Sequence, residues 1–499
     1  MRNSLTLILL LTCTFTYAQH RYQFTMHNIF PQKDSMSNPV SLTEFKGKVY
    51  FYARDTNGRE LWCLDGNNLS SFDIEPGPES GGVDRPGISN MIVGNDTLYF
   101  AARSAGRGTE LYKYDGKNFP QLAYDINPGL PSSGAILHAF HDNKLYFSAI
   151  EGSGPQAWLY SLDVKTYTLK QLTGLPGSPF EGVGGHAIIH KEKLYTECYV
   201  DGYEMALCAY DIKKDEMELI ADIDKVGNRL FINNFSVING DLYFQASTQQ
   251  EGTNLYRYDG SNPPENFTES LFPGIVSTVS FSHSLTYAYY KNEIYFIGGA
   301  GTSSTTCYLH SYNPITKTVT NHVTMNQLLQ GNNFIVYNDR LFYSADEHFM
   351  YESGSTHTHL SALNPAIITN WIYESAVFNN RFYYSGATNK PGIDLELFIL
   401  YDTTLNITAV AKSNVTATLY PNPTTQDAYL DVKLKEAQTM QVQVTDIQGR
   451  IVYSSKAQLY SSGSHTINLP LQQLPHGTYI YRIADENGML LQSGKLLKE

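Results

Sequence analysis

The phrase Thr97-Leu-Tyr-Phe-Ala-Ala102 decides the fold of most of this chain, because close copies of it recur at a regular interval. The eight copies begin at residues 48, 97, 144, 193, 241, 293, 340 and 381, so their spacing is about 48 residues. A period of this length indicates a repeat architecture. The other copies are Lys48-Val-Tyr-Phe-Tyr-Ala53, Lys144-Leu-Tyr-Phe-Ser-Ala149, Lys193-Leu-Tyr-Thr-Glu-Cys198, Asp241-Leu-Tyr-Phe-Gln-Ala246, Glu293-Ile-Tyr-Phe-Ile-Gly298, Arg340-Leu-Phe-Tyr-Ser-Ala345 and Arg381-Phe-Tyr-Tyr-Ser-Gly386.

Each copy is one strand of a larger unit. A short apolar run precedes it across polar turn residues such as Asn239-Gly240, which indicates a hairpin. A third strand follows, as in Glu110-Leu-Tyr-Lys-Tyr-Asp115, and most repeats have a fourth, as in Leu122-Ala-Tyr-Asp-Ile126. Four strands in each of about eight repeats predict the blades of an all-β propeller. The strands read as apolar runs, as expected where neighbouring blades bury both faces.

The number of blades depends on the segment from Tyr22 to Ile29, which reads as a spare strand. If this strand joins the last blade as its outer strand, it closes a ring. We expect eight blades over residues 20–410, and seven blades remain the alternative.

The first two repeats carry an additional pattern, seen in Gly58-Arg-Glu-Leu-Trp62 with Asp65-Gly66 and in Asp125-Ile-Asn-Pro-Gly129. It resembles a family of bacterial repeats that read G-x-E-L-W-x-x-D-G followed by D-I-x-P-G. The resemblance fades in the third, sixth and seventh repeats. It implies a propeller and says little about function, because propellers host many unrelated activities.

Composition narrows the class of protein. Aromatic residues make up 13% of the chain, with 37 Tyr, and charged residues make up 17%, a balance that favours a β-rich fold. The net charge of -13 and the absence of any Lys or Arg run exclude a nucleic-acid binder. At 499 residues, the chain is expected to form more than one domain.

The N-terminus has the features of a secretory signal peptide over residues 1–18. Arg2 supplies the positive region, Leu5 to Leu11 is apolar, and Ala18 before Gln19 ends a small-x-small cleavage site. The apolar run falls short of the roughly 20 residues that span a bilayer, and no other transmembrane segment is predicted. Lipidation at Cys13 is an alternative that the poorly matching Thr12 disfavours.

Four cysteines remain after residue 18, and none belongs to a C-x-x-C pair. Cys198 and Cys208 lie on two consecutive predicted strands, so a cross-strand disulfide is one interpretation. Two buried free thiols are the other.

A second domain is predicted at residues 419–499, after a linker at 411–418. Alternating runs such as Met440 to Val444 and Tyr479 to Ile483 predict a small antiparallel β-sandwich of Ig-like type. Four motifs stand in order along it. They are Tyr420-Pro421-Asn422-Pro423, Asp446-Ile447-Gln448-Gly449-Arg450, Leu474-Pro475-His476-Gly477-Thr478-Tyr479 and Gly494-Lys495-Leu496.

These motifs resemble the type A C-terminal sorting domain of the type IX secretion system. The resemblance implies export across the outer membrane, with the secretion machinery as the partner of this domain, and delivery to the cell surface or the medium. Family members often lose the domain on export. The tail Leu496-Leu-Lys-Glu499 departs from the lysine-rich family ending, so cleavage and retention both remain open.

The sequence contains no recognised catalytic motif, so we predict no catalytic, cofactor-binding or metal-binding residues. His357-Thr358-His359, with His348 nearby, places two imidazoles on one strand face, but no carboxylate or Cys completes a ligand set. The glycine-rich stretch Gly298 to Ser304 is interpreted as a blade loop, because no helix follows to hold a phosphate.

Two functions are consistent with an exported repeat scaffold. The first is a noncatalytic module that binds an extracellular glycan or protein through one rim. The second is a polysaccharide hydrolase or lyase whose carboxylates or histidines gather at the central channel. Binding is favoured, because the sequence carries no chemical motif.

Overall fold

The structure is a computed structural model. It describes residues 22–30, 36–77, 81, 91–152, 157–200, 203–223, 231–248, 252–268, 277–278, 287–299, 307–325, 334–344, 348–351, 357–360, 369–388, 395–402, 415–446, 451–485 and 490–499. The chain divides into two units, residues 1–403 and 404–499, and the described residues form an all-β fold. Ala18, Gln19, Gly449 and Arg450 lie outside the described residues.

The described residues of unit 1 form eight sheets. Strand β1 (Tyr22–His27) comes first in the chain, and sheets 1 to 4 follow it in chain order. Sheet 1 has β2 (Val40–Phe45), β3 (Lys48–Asp55), β4 (Gly58–Asp65) and β5 (Asn68–Phe72). Sheet 2 has β6 (Ile92–Gly94), β7 (Thr97–Arg103), β8 (Thr109–Tyr114) and β9 (Gln121–Tyr124). Sheet 3 has β10 (Ile136–His141), β11 (Lys144–Ala149), β12 (Trp158–Asp163) and β13 (Thr168–Gln171). Sheet 4 has β14 (Phe180–His190), β15 (Lys193–Val200), β16 (Tyr203–Asp211) and β17 (Glu216–Ala221).

The other four sheets continue the pattern. Sheet 5 has β18 (Phe231–Ile238), β19 (Asp241–Thr248), β20 (Gly252–Tyr258), β21 (Glu265–Asn266) and β22 (Ser277–Thr278). Sheet 6 has β23 (Tyr287–Tyr290), β24 (Glu293–Gly299), β25 (Cys307–Asn313) and β26 (Thr318–Met325). Sheet 7 has β27 (Phe334–Tyr337), β28 (Arg340–Ser344), β29 (His348–Tyr351) and β30 (His357–His359). Sheet 8 has β31 (Thr369–Phe378), β32 (Arg381–Thr388) and β33 (Glu396–Asp402).

Strand β1 is the fourth strand of sheet 8, where it pairs antiparallel with β33. Residues Tyr22 to His27 lie opposite Asp402 to Leu397 in register. The sequence left open whether this N-terminal segment joins the last repeat, and the structure places it there.

Eight hydrophobic clusters join the eight sheets, and each cluster combines side chains of two neighbouring sheets. Phe100 of sheet 2, for example, packs in one cluster with Tyr52 of sheet 1. Phe51 of sheet 1 packs in another with Tyr383 of sheet 8. The remaining clusters join sheets 2 and 3, 3 and 4, 4 and 5, 5 and 6, 6 and 7, and 7 and 8. The contacts between sheets therefore form a cycle, and both faces of the inner strands are buried.

A buried glutamate on the third strand holds the loop that leaves sheets 1 and 2. Glu60 is 1% exposed, and its carboxylate accepts hydrogen bonds from the backbone N–H groups of Ile74 (3.0 Å) and Gly81 (2.8 Å). Glu110 is fully buried and accepts in the same way from Ile126 (2.8 Å) and Ser133 (3.0 Å). Burial raises the pKa of Glu60 to about 7 and also raises the pKa of Glu110. These glutamates are the E of the E-L-W pattern.

A third glutamate, Glu396, forms similar hydrogen bonds where the N-terminal segment meets sheet 8. Glu396, the first residue of β33, accepts a hydrogen bond from the backbone N–H of Ile29 (2.8 Å) and one from the Ser37 hydroxyl (2.7 Å). Its partners come from the N-terminal segment and not from residues that follow it in sequence. Glu396 therefore holds the N-terminal segment at sheet 8. Glu60 and Glu110 hold the loops that follow them in the same way.

Unit 2 consists of two sheets that share one hydrophobic cluster. The first sheet has β34 (Val415–Tyr420), β35 (Ala428–Leu434) and β39 (Gly463–Leu469). The second has β36 (Gln438–Asp446), β37 (Ile451–Ser454), β38 (Gln458–Tyr460), β40 (Gly477–Asp485) and β41 (Leu490–Lys498). Leu430 and Val432 of the first sheet pack in the cluster with Val444 and Ile483 of the second.

We predict that Glu110→Ala destabilises unit 1 by about 3 kcal/mol, because it leaves buried N–H donors without an acceptor. Urea denaturation followed by tryptophan fluorescence measures the change. The matched control is Glu216→Ala, since Glu216 is exposed, and we expect it to change stability by less than about 0.5 kcal/mol. Equal effects of the two substitutions would contradict the role given to Glu110.

Candidate functional site

A pocket of about 240 Å³ lies between sheets 2 and 3, at the end of the sheets where β7 begins and β8 ends. We call it the rim pocket. Aromatic rings, amides, a hydroxyl, an ammonium and a carboxylate all line it. The lining residues are Thr97, Tyr99, Lys113, Asp115, Asn118, Phe119, Gln121 and Tyr167.

Tyr167 reaches the rim pocket from the turn between β12 and β13 of sheet 3. Its backbone N–H donates to the carbonyl of Asp163 (2.8 Å), and its φ of 56° lies in the left-handed region. A bulky side chain rarely adopts this conformation, which costs about 1 kcal/mol or more. Tyr167 is 37% exposed, and its ring contacts Lys113 at the pocket. The aromatic ring is therefore held at the pocket against the local backbone preference.

Lys113 lies against the Tyr167 ring. Its Nζ is 4.5 Å from the ring centroid and donates a hydrogen bond to the Tyr167 hydroxyl. This cation–π contact orients the ammonium at the pocket wall. Phe119 presents a second ring, which is 57% exposed and packs on one side against Phe72.

The Asp115 carboxylate is directed into its own turn. Oδ1 accepts hydrogen bonds from the backbone N–H groups of Lys117 and Asn118, each at 2.8 Å, and Oδ2 accepts from the Asn118 amide at 2.6 Å. These hydrogen bonds lower the pKa of Asp115 to about 2. The group therefore remains ionised across the physiological pH range.

Sheets 3 and 4 contain a second group of titratable side chains with shifted pKa values. A β-bulge interrupts the pairing of the first strand in each of these sheets. His138 lies at the bulge of β10, hydrogen-bonded through Nε2 to the Ser148 hydroxyl (3.1 Å). Burial and the nearby His186 lower the pKa of His138 to about 3. Burial raises the pKa of Glu197 on β15 to about 8, and its carboxylate accepts from the Ile232 N–H of sheet 5.

Of the histidines that the sequence singled out, His357 and His359 lie on β30, the outer strand of sheet 7, and His348 begins β29. The Tyr343 hydroxyl is hydrogen-bonded to His357 Nδ1 (2.5 Å), and the rings of His357 and His359 have centroids 5.7 Å apart. Within the described part of the chain, no three His, Cys, Asp or Glu side chains are grouped so as to hold a metal ion. Residues 300–304 of the glycine-rich stretch lie outside the described residues.

Cys198 and Cys208 form a disulfide between β15 and β16, with their Cα atoms 6.0 Å apart. The sequence left a disulfide and two free thiols as alternatives, and the structure contains the disulfide. Cys63 is a buried free thiol.

In unit 2, the segment Tyr420-Pro421-Asn422-Pro423 contacts the last strand of the chain. The Asn422 amide donates to the carbonyl of Lys495 (2.9 Å) and its oxygen accepts from the Leu497 N–H (2.9 Å). Thr424 extends the contact, because its N–H donates to the Leu497 carbonyl (2.9 Å) and its carbonyl accepts from the Glu499 N–H (2.8 Å). The segment thus covers the free edge of β41, which would otherwise be open to pairing.

The other sorting-motif residues lie on and beside β40 and β41. The Tyr479 hydroxyl donates to the Pro475 carbonyl (2.9 Å), and Gly477 begins β40. Gly494 lies against the ring of Tyr481, where a Cβ atom would come within 2.5 Å of the ring. Asp446 ends β36, which pairs with β40, and lies opposite Tyr479 in register. The motifs therefore support the strand pairing that carries the C-terminus.

Residues 418–498 match the family described as the secretion system C-terminal sorting domain. Unit 2 carries a secretion sorting domain. The prediction of this domain is confirmed, and it directs the protein to the type IX secretion system. The resemblance of the unit 1 repeats to the E-L-W-x-x-D-G family stays a prediction.

Solved structures similar to the chain include a prolyl endopeptidase, 11% identical, with 81% of this chain and 56% of that chain covered and a TM-score of 0.41. PorZ, a surface component of the type IX secretion system of Porphyromonas gingivalis, is 10% identical over 92% and 75%, with a TM-score of 0.28. An oligogalacturonate lyase with manganese is 10% identical over 74% and 98%, with a TM-score of 0.37. All three TM-scores lie below 0.5.

The match therefore spans little more than half of the prolyl endopeptidase chain. A search of curated proteins gives no significant match. In the described part of the chain, no helix is long and apolar enough to cross a membrane.

Sequence reasoning placed Thr97 and Lys113 in repeated strands but assigned no binding role to any residue of the rim pocket. One signal was available, because the turn that ends at Tyr167 recurs in two other repeats with a charged residue in its last position. Aligning the repeats turn by turn would have marked Tyr167 as the exception.

We predict that Asn422→Ala loosens the C-terminal strand, since it removes both hydrogen bonds to β41. Peptides covering residues 490–499 should exchange their amide hydrogens about tenfold faster, as expected when opening is eased by about 1.4 kcal/mol. The control is Asn468→Ala on the exposed face of β39. Unchanged exchange in Asn422→Ala would show that the segment does not hold the strand.

Proposed function

We propose that the protein is an exported eight-bladed β-propeller that binds a glycan without catalysis, through the rim pocket between sheets 2 and 3. The proposal has three parts, which concern the architecture, the ligand and the location. Each rests on different observations.

The cycle of hydrophobic clusters supports the eight-bladed propeller. Sheet 8 packs against sheet 1 through Phe51 and Tyr383, and strand β1 completes sheet 8 from the other end of the chain. Sharing one sheet between the two ends of the repeat region is how a propeller keeps its ring closed. Each blade is then one four-stranded sheet, with β22 as an addition to the fifth.

The exposed rings of Phe119 and Tyr167, set among amide and hydroxyl groups, are the observation that carries the ligand assignment. Flat apolar rings pack against the C–H faces of a sugar, and amides such as Asn118 and Gln121 exchange hydrogen bonds with its hydroxyls. A protein ligand would need a larger interface than this pocket provides. A glycan is therefore the favoured ligand.

The chemistry of the rim pocket supports binding without catalysis. Glycoside hydrolysis generally uses two carboxyl groups, one of them protonated to act as an acid. The lining contains a single carboxylate, Asp115, which the turn keeps ionised and supplies with hydrogen-bond donors.

The second candidate function is a hydrolase or lyase with its site at the propeller channel. It is favoured by the strongly shifted pKa values of His138 and Glu197, which lie on neighbouring sheets. Incubating the protein with the glycan that it binds separates the two functions. New reducing ends or unsaturated products that disappear in Glu197→Gln would favour catalysis.

We predict that Tyr167→Asn weakens glycan binding at least tenfold without destabilising the protein. The ring is lost as a stacking partner, whereas Asn tolerates the left-handed backbone better than Tyr. Isothermal titration with a panel of neutral and carboxylated oligosaccharides measures the affinity, and thermal melting the stability. Tyr199→Asn is the matched control, because Tyr199 is 39% exposed and lies away from the pocket. Full affinity in Tyr167→Asn would refute this site.

The sorting domain supports the third part, delivery to the outer face of the outer membrane. We predict that the mature protein, beginning at Gln19, is found on the cell surface or in the medium of cells with an intact type IX system. Mass spectrometry of cell fractions should place it in the periplasm when the system is disabled. Periplasmic protein with residues 417–499 intact in both strains would contradict export.

A further inference from the structure

Three turns of unit 1 have the same geometry, and each lies at a groove between its own sheet and the preceding one. The rim pocket can therefore be compared with the two other grooves. The turns are Asp163–Tyr167 in sheet 3, Asp211–Asp215 in sheet 4 and Asn313–Lys317 in sheet 6. In each, the N–H of the last residue donates to the carbonyl of the first, at 2.8, 2.8 and 2.9 Å. The last residues have φ values of 56°, 62° and 55°. The three turns therefore share one backbone conformation at the last residue, and they differ in the side chain that this residue carries.

In two of the three turns, the last side chain forms an ion pair with the preceding sheet. Asp215 pairs with Lys170 of sheet 3, between sheets 3 and 4. Lys317 Nζ lies 3.8 Å from the carboxylate of Glu265 of sheet 5, between sheets 5 and 6. In both grooves the protein itself supplies opposite charges across the gap.

The third turn breaks this pattern. Its last residue is Tyr167, which faces a cation, Lys113, but offers it a ring and a hydroxyl in place of a carboxylate. Among the described residues, none supplies a carboxylate within ion-pair distance of Lys113 Nζ, and the Asp115 oxygens are engaged in their own turn. The ammonium is held in place at the pocket wall, and no carboxylate of the described residues neutralises its charge.

We infer that the counter-ion comes from the ligand, and that the rim pocket binds a carboxylated sugar, a uronate. The inference rests on the proposed glycan function and names its ligand class. The sugar ring packs against Phe119 and Tyr167, and its carboxylate accepts a hydrogen bond from Lys113 Nζ. A charge-assisted hydrogen bond of this kind is stronger than a neutral one, so it confers preference for the acidic sugar. The aromatic rings favour a sugar over an acidic peptide.

The test uses matched pairs of oligosaccharides that differ only at C6. Cellohexaose and mannohexaose are compared with the corresponding hexaglucuronate and hexamannuronate by isothermal titration against the mature full-length protein. We expect at least one uronate to bind at least tenfold more tightly than its neutral counterpart. Lys113→Met should abolish that preference, whereas Lys117→Met, which changes an exposed lysine outside the pocket lining, should keep it.

A second variant distinguishes loss of the site from misfolding. Tyr167→Asp gives Lys113 the carboxylate that Asp215 gives Lys170 in the next groove, so we expect it to remove uronate binding while the melting temperature is maintained. Retained uronate binding in this variant would overturn the inference.

The remaining outcomes separate the inference from the function on which it rests. Equal binding of the acidic and neutral sugars overturns the uronate assignment and leaves the glycan-binding function standing. Binding of neither kind of sugar overturns both. Equally tight binding of hexaglutamate shows that the site recognises a carboxylate without a sugar ring, which also overturns the inference.

Discussion

The structure depends on one constraint, which is that each sheet of unit 1 is apolar on both faces. Side chains such as Phe51, Phe100 and Leu145 are fully buried, and a sheet of this kind is stable only between two others. A linear stack would leave two apolar faces in water. Closing the stack into a cycle removes both, and the pairing of β1 with β33 fixes the closure.

The buried glutamates extend this constraint from the sheets to their loops. Glu60, Glu110 and Glu396 each accept hydrogen bonds from a loop that would otherwise bury unpaired N–H groups. With the loops held in this way, the ends of the sheets can vary without loss of the core. The rim pocket lies at such an end, where the same turn carries Tyr167 in one repeat and Asp215 in the next. The side chains at the rim can thus change without altering the core.

Unit 2 is subject to a different constraint, because a two-sheet sandwich has edge strands whose backbone groups are open to pairing. The last strand, β41, is an edge, and the motif segment with Asn422 covers it. The residues that identify the sorting domain in the sequence therefore have a structural part in ordering the C-terminus. Cys198 and Cys208 are consistent with the same export route, because disulfides persist in oxidising compartments outside the cytoplasm.

The sequence by itself determined the strands, the repeat and the sorting domain. Each of these is a local or periodic signal, since a strand pattern or a motif is read from residues close together in the chain. Only the tertiary structure decided the pairing of Cys198 with Cys208, the partners of Glu60 and Glu110, and the meeting of Lys113 with Tyr167. Those two pocket residues are 54 positions apart and lie on different sheets. Their contact depends on how sheets 2 and 3 stack, and no local sequence pattern specifies it.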